Sequence, residues 1–198
     1  MAKSRDAIQM NEAEIAAFLD ECRSLQVATL DRDGAPHLTT LWFTVKDGDF
    51  LFETYGKSQK IVNLRRDPRI AVLCEAGESY DQLRGVSVQG RAEIVDAGEP
   101  LLELMGLLVE RNHPEMSAEQ AAGMAAQLAQ KRVVVVVRPE RLIRWDHRKL
   151  GMGEVWQSAQ IGAIIVTVYA FGTIAGRLAC GSPGSVLIGA FREDGIFC

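Results

Sequence analysis

Five consecutive valines at positions 133–137 restrict the folds open to this chain more than any other feature of the sequence. Valine is branched at Cβ, which lowers its preference for helix and raises its preference for strand. Five residues are also far fewer than the roughly 20 that a membrane-spanning helix needs. Because successive side chains of a strand point to opposite faces, a strand made only of valine must bury both faces. The run therefore predicts a sheet that is covered on both sides.

Short strand-like segments recur along the chain, and the turn sequences DRDG and KDGD separate the first three. This spacing predicts an antiparallel meander. Six such segments with a helix inserted after the third predict a mainly β fold with helices. We expect a six-stranded antiparallel barrel that is closed or partly closed, because closure removes exposed sheet edges. The predicted strands are SLQVATL, PHLTTLWFTV, FLFETY, RIAVLCEA, RGVSVQGRAEIVD and VVVVV with its continuation to Trp145.

Two capping boxes mark the starts of helices outside the strand-like segments. Asn11 and Glu14 form the first, and Ser117 and Gln120 form the second. In each pair the first side chain accepts from the backbone of the second residue, which in turn reaches back to the first. The first box predicts a helix over residues 12–23.

The composition changes sharply near the C-terminus. Between Val155 and Phe191 the only charged residue is Arg177, and small or β-branched residues dominate. We therefore expect a cofactor-binding barrel domain over residues 1–150 and a C-terminal extension of uncertain structure over residues 151–198. A disordered appendage, an extra pair of strands, a non-native sequence and a membrane anchor are the alternatives for this extension. Its apolar run of about 15 residues is shorter than a transmembrane helix requires, which disfavours the anchor.

Charge and cysteine usage exclude several classes of partner. The net charge of −4 gives no general attraction to nucleic acid or to anionic membranes. The four cysteines form no CxxC pair and the three histidines lack ligand spacing, so we expect no metal site. With no signal-peptide pattern at the first residues, these features predict a reduced, cytoplasmic protein. Any anion site must then be built from a few local basic residues.

The sequence TYGKSQKIVNLRRDP, residues 54–68, combines a helix start with an unusual placement of charge. Ser58 is a suitable N-cap, and Asp67–Pro68 ends the helix, since the residue before a proline avoids helical conformation. Lys57 and Lys60 then lie at the positive end of the helix dipole, where an anion is stabilising and an unpartnered lysine is not. The pattern predicts a phosphate at this end. Lysines that extend into solvent are the alternative, and spacing does not choose between the two.

Three segments resemble the split-barrel flavin-binding superfamily that includes pyridoxamine 5'-phosphate oxidase. They are ATLDRDGAPHLTTLWF, LFETYGKSQKIVNLRRDPRIAVL and VSVQGRAEIV. The similarity covers about residues 12–150, and it is closest to the members that use the 8-hydroxy-5-deazaflavin coenzyme F-420. It implies the FMN-binding split β-barrel fold and a homodimer with the cofactor in a groove between two barrels.

The resemblance also implies which residues hold the cofactor's phosphate. Thr54, Ser58 and Lys60 match positions that contact the phosphate in the family. Lys57 and Asn63 match positions that the deazaflavin branch uses near the phosphate and the tail of its cofactor.

Two further matches concern the ring and the identity of the cofactor. Thr40 and Trp42 match the strand that passes along the ring. FMN-using oxidases of the superfamily tend to place an arginine immediately before the lysine that corresponds to Lys60, and this chain has Gln59 there. Because the fork-shaped donor is missing, the resemblance favours coenzyme F-420, with FMN as the alternative.

The function that the resemblance implies is that of an oxidoreductase. Reduced coenzyme F-420 would transfer hydride to an electron-poor small molecule such as an enone, a quinone, a nitro compound or a tetrapyrrole. The cofactor carries the redox chemistry, so we expect no catalytic acid or base on the chain. The alternatives are an FMN-dependent oxidase or reductase of the same fold and a non-catalytic protein that binds the coenzyme or haem.

Overall fold

The computed structural model describes residues 4–150, which contain a seven-stranded antiparallel sheet, five α-helices and two short 3-10 helices at Tyr80–Gln82 and His147–Leu150. The predicted extension over residues 151–198 lies outside the described residues. The strands are β1 (Leu25–Leu30), β2 (Pro36–Leu41), β3 (Thr44–Lys46), β4 (Asp49–Tyr55), β5 (Arg69–Ala76), β6 (Arg84–Val95) and β7 (Arg132–Asp146). The helices are α1 (Ser4–Ala7), α2 (Glu12–Glu21), α3 (Gln59–Arg66), α4 (Gly98–Asn112) and α5 (Ala118–Ala129).

The sheet has the strand order β2-β1-β5-β6-β7-β4-β3, and every neighbouring pair is antiparallel. β2 and β3 therefore lie at opposite edges, although only Trp42 and Phe43 separate them in the chain. Two residues cannot cross a flat sheet of seven strands, because each strand adds about 4.8 Å. The sheet must curl until its edges come close. This arrangement confirms the predicted mainly β, antiparallel split barrel, with a hydrogen-bonded ladder that stays open between the two edges.

One predicted strand is two strands in the structure. The segment PHLTTLWFTV was expected to be continuous, but Leu41 is the last residue that pairs with β1 and Thr44 is the first that pairs with β4. The prediction of six strands is therefore wrong by one. The alternation of exposed and more buried side chains in this segment continues through Trp42 and Phe43. The sequence around these two residues therefore does not indicate that the strand changes its pairing partner there.

The pairing of the two longest strands, β6 and β7, shifts register between Gln89 and Gly90. A Cβ atom at Gly90 would overlap the carbonyl oxygen of Arg138 on β7, so the close approach of the two backbones there requires glycine. An irregularity of this kind increases local twist, which helps the sheet to curl.

The valine run of β7 is buried on both faces, as predicted, and it contributes to two separate apolar clusters. Val133, Val135 and Val137 belong to the cluster inside the barrel. Val134 and Val136 belong to a second cluster under α4 and α5. The two helices are thus the outer cover that the valine run requires.

Local signals placed the helices well. Both predicted capping boxes are present, with side-chain and backbone bonds in both directions. The helix predicted over residues 12–23 is α2, which ends at Glu21, two residues before its predicted end, with Cys22 as its C-cap. Cys22 and Cys74 are buried in the barrel cluster, as expected for structural thiols. In the part of the chain that the structure describes, no helix is long and apolar enough to cross a membrane.

Burial on both faces of β7 can be tested with threonine, which keeps the shape of valine and adds a hydroxyl. Val134→Thr and Val135→Thr each place that hydroxyl in a fully buried position, one outside the barrel and one inside. We expect each to lower the free energy of unfolding by about 1–3 kcal/mol, measured by urea denaturation. The matched control is Val62→Thr on α3, where the side chain is 50% exposed and the change should stay within about 0.5 kcal/mol. A neutral result at either buried position would show that one face is open to water.

Candidate functional site

The turn between β4 and α3 brings three polar side chains together. Ser58 is the N-cap of α3, and its carbonyl accepts from the backbone N–H groups of Ile61 at 3.0 Å and Val62 at 3.1 Å. Its hydroxyl does not cap the helix. Instead, Ser58 Oγ lies 3.4 Å from Oγ1 of Thr54, the last residue but one of β4, and Lys60 Nζ donates to Thr54 Oγ1 at 3.2 Å. Three of the predicted phosphate-binding residues therefore share one hydrogen-bonded group.

Lys60 is an unusual residue for the position that it holds. Its side chain is only 9% exposed, although it lies at the positive end of a helix whose first turn contains no acidic residue. Burial lowers the pKa of Lys60, and the charge of Glu53 opposes this only in part. Glu53 pairs instead with Arg132, at 2.5 Å between Oε1 and Nη1. Within residues 4–150, Lys60 forms no ion pair.

The start of α3 presents further positive groups around this lysine. Among the described residues, no acceptor takes the backbone N–H groups of Gln59 and Lys60, which the helix itself cannot satisfy. Lys57 lies just before the helix and is exposed. Two free N–H groups, two hydroxyls and two ammonium groups at one helix end form a suitable environment for a phosphate.

Asn63 has a different environment from the one expected of a cofactor ligand. It is fully buried, and its amide nitrogen donates to Thr29 Oγ1 at 3.1 Å and to Asp31 Oδ1 at 2.8 Å. Its amide oxygen accepts from Gln59 at 2.9 Å. These bonds fasten α3 to β1, so Asn63 positions the helix that carries Lys60. Direct contact between Asn63 and a cofactor stays a prediction.

The two ring-facing candidates lie apart from this group. Thr40 is on β2, opposite Gln26 of β1, and its side chain is exposed. Trp42 is 57% exposed, and its ring meets His113 edge-on with 5.7 Å between ring centroids. No hydrogen bond among the described residues links either side chain with the Thr54, Ser58 and Lys60 group.

Sequence reasoning missed two residues next to the candidate site. Glu53 and Arg132 form a part-buried ion pair, and the Arg132 guanidinium also lies over the Tyr55 ring at 4.5 Å. The sequence does contain an indication of this ion pair, which is the single carboxylate of Glu53 inside the apolar strand FLFETY. A charged residue among buried neighbours needs a partner of opposite charge. The sequence did not say which partner, because Glu53 and Arg132 lie 79 positions apart.

Comparisons with known proteins agree with this fold. The family model described as pyridoxamine 5'-phosphate oxidase matches residues 12–146. Among solved structures, a conserved hypothetical protein of Mycobacterium tuberculosis, Rv2991, is 47% identical, with a TM-score of 0.70, and the alignment covers 76% of this chain and 93% of that one. HutZ, described as the heme storage protein of Vibrio cholerae, is 19% identical with a TM-score of 0.53, covering 67% and 94%. A search of curated proteins found no match.

The buried lysine predicts a characteristic dependence of stability on pH. Because burial lowers the pKa of Lys60, the unfolded chain binds more protons than the folded one at pH values between that lowered pKa and the ordinary lysine value of about 10.4. The free energy of unfolding should therefore rise with pH across this window, and the full cost of the buried charge should apply below it. Lys60→Met removes the cost at all pH values.

We therefore expect Lys60→Met, without any ligand, to be more stable than the wild type at pH 7, on the order of 1 kcal/mol, or roughly 2–4 °C in melting temperature. The advantage should shrink as the pH rises toward about 10.4. Urea denaturation of both proteins over this range measures the difference directly. An advantage that does not change with pH would mean that Lys60 keeps an ordinary pKa.

Proposed function

The chain belongs to the pyridoxamine 5'-phosphate oxidase family, and we propose that it is an oxidoreductase that binds a flavin-type cofactor through its phosphate at the start of α3. Coenzyme F-420 is the preferred cofactor in this proposal, and FMN is the alternative. The observation that carries it is Lys60, a buried ammonium with no carboxylate partner among the described residues. A charge kept in this position at a cost to stability is characteristic of a functional site.

The residues of the site fit a phosphate ester. Ser58, Lys57 and Lys60 offer a hydroxyl and two ammonium donors, and the first N–H groups of α3 add two more. Thr54 holds the ammonium of Lys60 through its hydroxyl at 3.2 Å. A phosphate there would neutralise the buried ammonium of Lys60 and accept from the free N–H groups at the start of α3. Binding would therefore offset the free-energy cost of burying an unpaired charge.

The bound cofactor would supply hydride transfer, and the chain would supply position and environment. In this proposal α3 holds the phosphate while Thr40 and Trp42 lie along the ring. Asn63 keeps α3 fixed on β1, which sets where the phosphate lies relative to the barrel. The substrate is a small electron-poor molecule.

We also propose that a second copy of the chain completes the cofactor groove, as the family resemblance implies. Two exposed aromatic rings support this. Trp42 lies between the edge strands β2 and β3, Tyr55 is the last residue of β4 before the turn to α3, and each is more than half exposed. Large exposed aromatic side chains are enriched where proteins associate.

Loss of the buried lysine should abolish tight cofactor binding while preserving the fold. Titration of coenzyme F-420, followed by its fluorescence, should show a loss of affinity of roughly tenfold or more for Lys60→Met. The matched control is Arg65→Met, which removes a cation from the other end of α3, where the side chain is exposed and pairs with Asp96. Equal affinity in the wild type and Lys60→Met would overturn the placement of the phosphate. Tighter binding of FMN than of coenzyme F-420 to the wild type would favour the alternative cofactor.

Gln59 offers a test of cofactor preference. In the structure one N–H of its side-chain amide donates to Asn63 Oδ1, which leaves at most one N–H for a phosphate. Gln59→Arg restores the fork-shaped donor that FMN-using relatives tend to have before the lysine. We expect this variant to bind FMN roughly tenfold more tightly, with a smaller change for coenzyme F-420, measured by parallel titrations. No gain for FMN would mean that position 59 does not set the preference.

Turnover separates an enzyme from a non-catalytic binder, such as the haem-storing relative named above. Sustained oxidation of reduced coenzyme F-420, with a panel of quinones, enones and nitro compounds as acceptors, is the expected result. Binding of the coenzyme without turnover on any acceptor would favour a binding protein.

A further inference from the structure

The outer face of the sheet lacks an apolar cover over much of its width, in the part of the chain that the structure describes. α4 and α5 pack against β4 and the first half of β7, where they cover Leu51, Val134 and Val136. The uncovered part consists of β2, β1, β5, the first half of β6 and the second half of β7. Its outward apolar side chains belong to neither apolar cluster, so packing within the described residues does not account for them.

Pairing register arranges the outward side chains of this surface in two rows that cross the strands. The first row is Leu38, Ala28, Ala71, Gln89 and Arg141. The second row is Thr40, Gln26, Leu73, Ser87 and Ile143. We call these two rows the open face. Arg141, at one end, is the only charged residue of the two rows, although charged residues make up 24% of the chain. Depletion of charge over such a patch is typical of the centre of a protein interface.

The open face has a projecting side chain beside a hollow. Leu38 projects from β2 and is 66% exposed. Ala28, directly opposite Leu38 on β1, lines a hollow of about 440 Å³ together with Ala71 and Gly90. The side chains of these alanines are small and glycine has none, so the hollow lies over the middle strands of the face.

The charged groups at the hollow already have partners. Arg69 and Glu140 also line it. Arg69 pairs with Asp67 at 2.6 Å, and Glu140 pairs with Arg91 at 3.1 Å. An occupant therefore needs no compensating charge, and an apolar side chain suits the alanine and glycine floor. The same face presents such a side chain, and a twofold dimer is the assembly in which both copies use one self-complementary patch.

We propose that two copies of the chain pack through their open faces, with Leu38 of each copy in the hollow of the other. Leu38 and Ala71 lie two strands apart with Ala28 between them, a distance of about 10 Å. A twofold axis between the copies, running along β1 at Ala28, sets Leu38 of one copy over Ala71 of the other. The same axis sets Thr40 opposite Leu73 of the second copy. This dimer deepens the proposed function and rests on it, since the second copy then borders the ring position assigned to Thr40.

A charge on the projecting leucine tests the interface. Leu38→Asp would place a carboxylate in the apolar hollow of the second copy, while the exposed position lets the single chain fold with the change. Sedimentation equilibrium should show a dimer for the wild type and a dissociation constant at least roughly tenfold higher for Leu38→Asp. The matched control is Leu102→Asp on α4, which is 46% exposed, lies outside the open face and should stay dimeric.

The outcomes separate the face from the dimer itself. A wild type that stays monomeric at concentrations on the order of 100 μM would overturn the proposal and leave the open face to a different protein. A folded Leu38→Asp variant that dimerises as tightly as the wild type would overturn this face but not the dimer of the proposed function. Lys60→Met should lose cofactor affinity and stay dimeric, because Lys60 lies outside the open face, so the two proposals fail in different measurements.

A pair of cysteines tests the register of the two copies. Leu38→Cys combined with Ala71→Cys cannot form a disulfide within one chain, because the Cα atoms of a disulfide lie within about 7 Å and these are two strands apart. Oxidation with diamide should therefore link two chains, visible as a covalent dimer on a non-reducing gel. The wild type and each single variant, treated in the same way, are the controls for the native cysteines. Dimerisation in solution without this additional cross-link would overturn the placement of Leu38 over Ala71.

Discussion

Burial of both faces of β7 is the constraint on which the rest of the described structure depends. Val133, Val135 and Val137 fill the barrel, and the alternate residues Val134 and Val136 need a second cover. α4 and α5 supply that cover, which explains why the chain inserts a helical pair between β6 and β7. The same packing leaves a cavity that is lined by residues of both helices and by Glu53 and Arg132. One strand thus determines the barrel core, the outer layer and the space between them.

The start of α3 contains a buried lysine, and burial lowers the pKa of this residue. Within residues 4–150 the buried Lys60 pairs with no carboxylate, while the buried Asn63 donates to Thr29 and Asp31 and accepts from Gln59. The bonds of Asn63 to Thr29 and Asp31 hold α3 against β1, and Lys60 lies on the same helix. The burial of Lys60 distinguishes this helix start from one with surface lysines, and in the proposed function a cofactor phosphate would neutralise its charge.

Much of the fold and part of the site followed from local rules in the sequence. Ser58 as N-cap, Lys60 in the first turn and the helix end before Pro68 all depend on nearest neighbours, and the structure has them as predicted. The break of one strand at Trp42 and Phe43 did not follow, because each half forms an ordinary hairpin with its neighbour in the chain and only the curling of the whole sheet places the two halves at opposite edges. Asn63 was expected near the cofactor, yet its bonds to Thr29 and Asp31 cross more than 30 positions and have no local pattern.

The sequence by itself determined most of the strand segments, the starts of α2, α3 and α5, and that β7 needs an apolar layer on each face. These outcomes depend on backbone preferences and on the alternation of side chains, which act over a few residues. Only the tertiary structure decided that the lysine is buried beside Thr54, that Asn63 is an anchor, and that Glu53 pairs with Arg132 while one of its oxygens stays free. Burial, pKa and the pairing of charges depend on groups brought together from distant positions, and no local pattern contains that information.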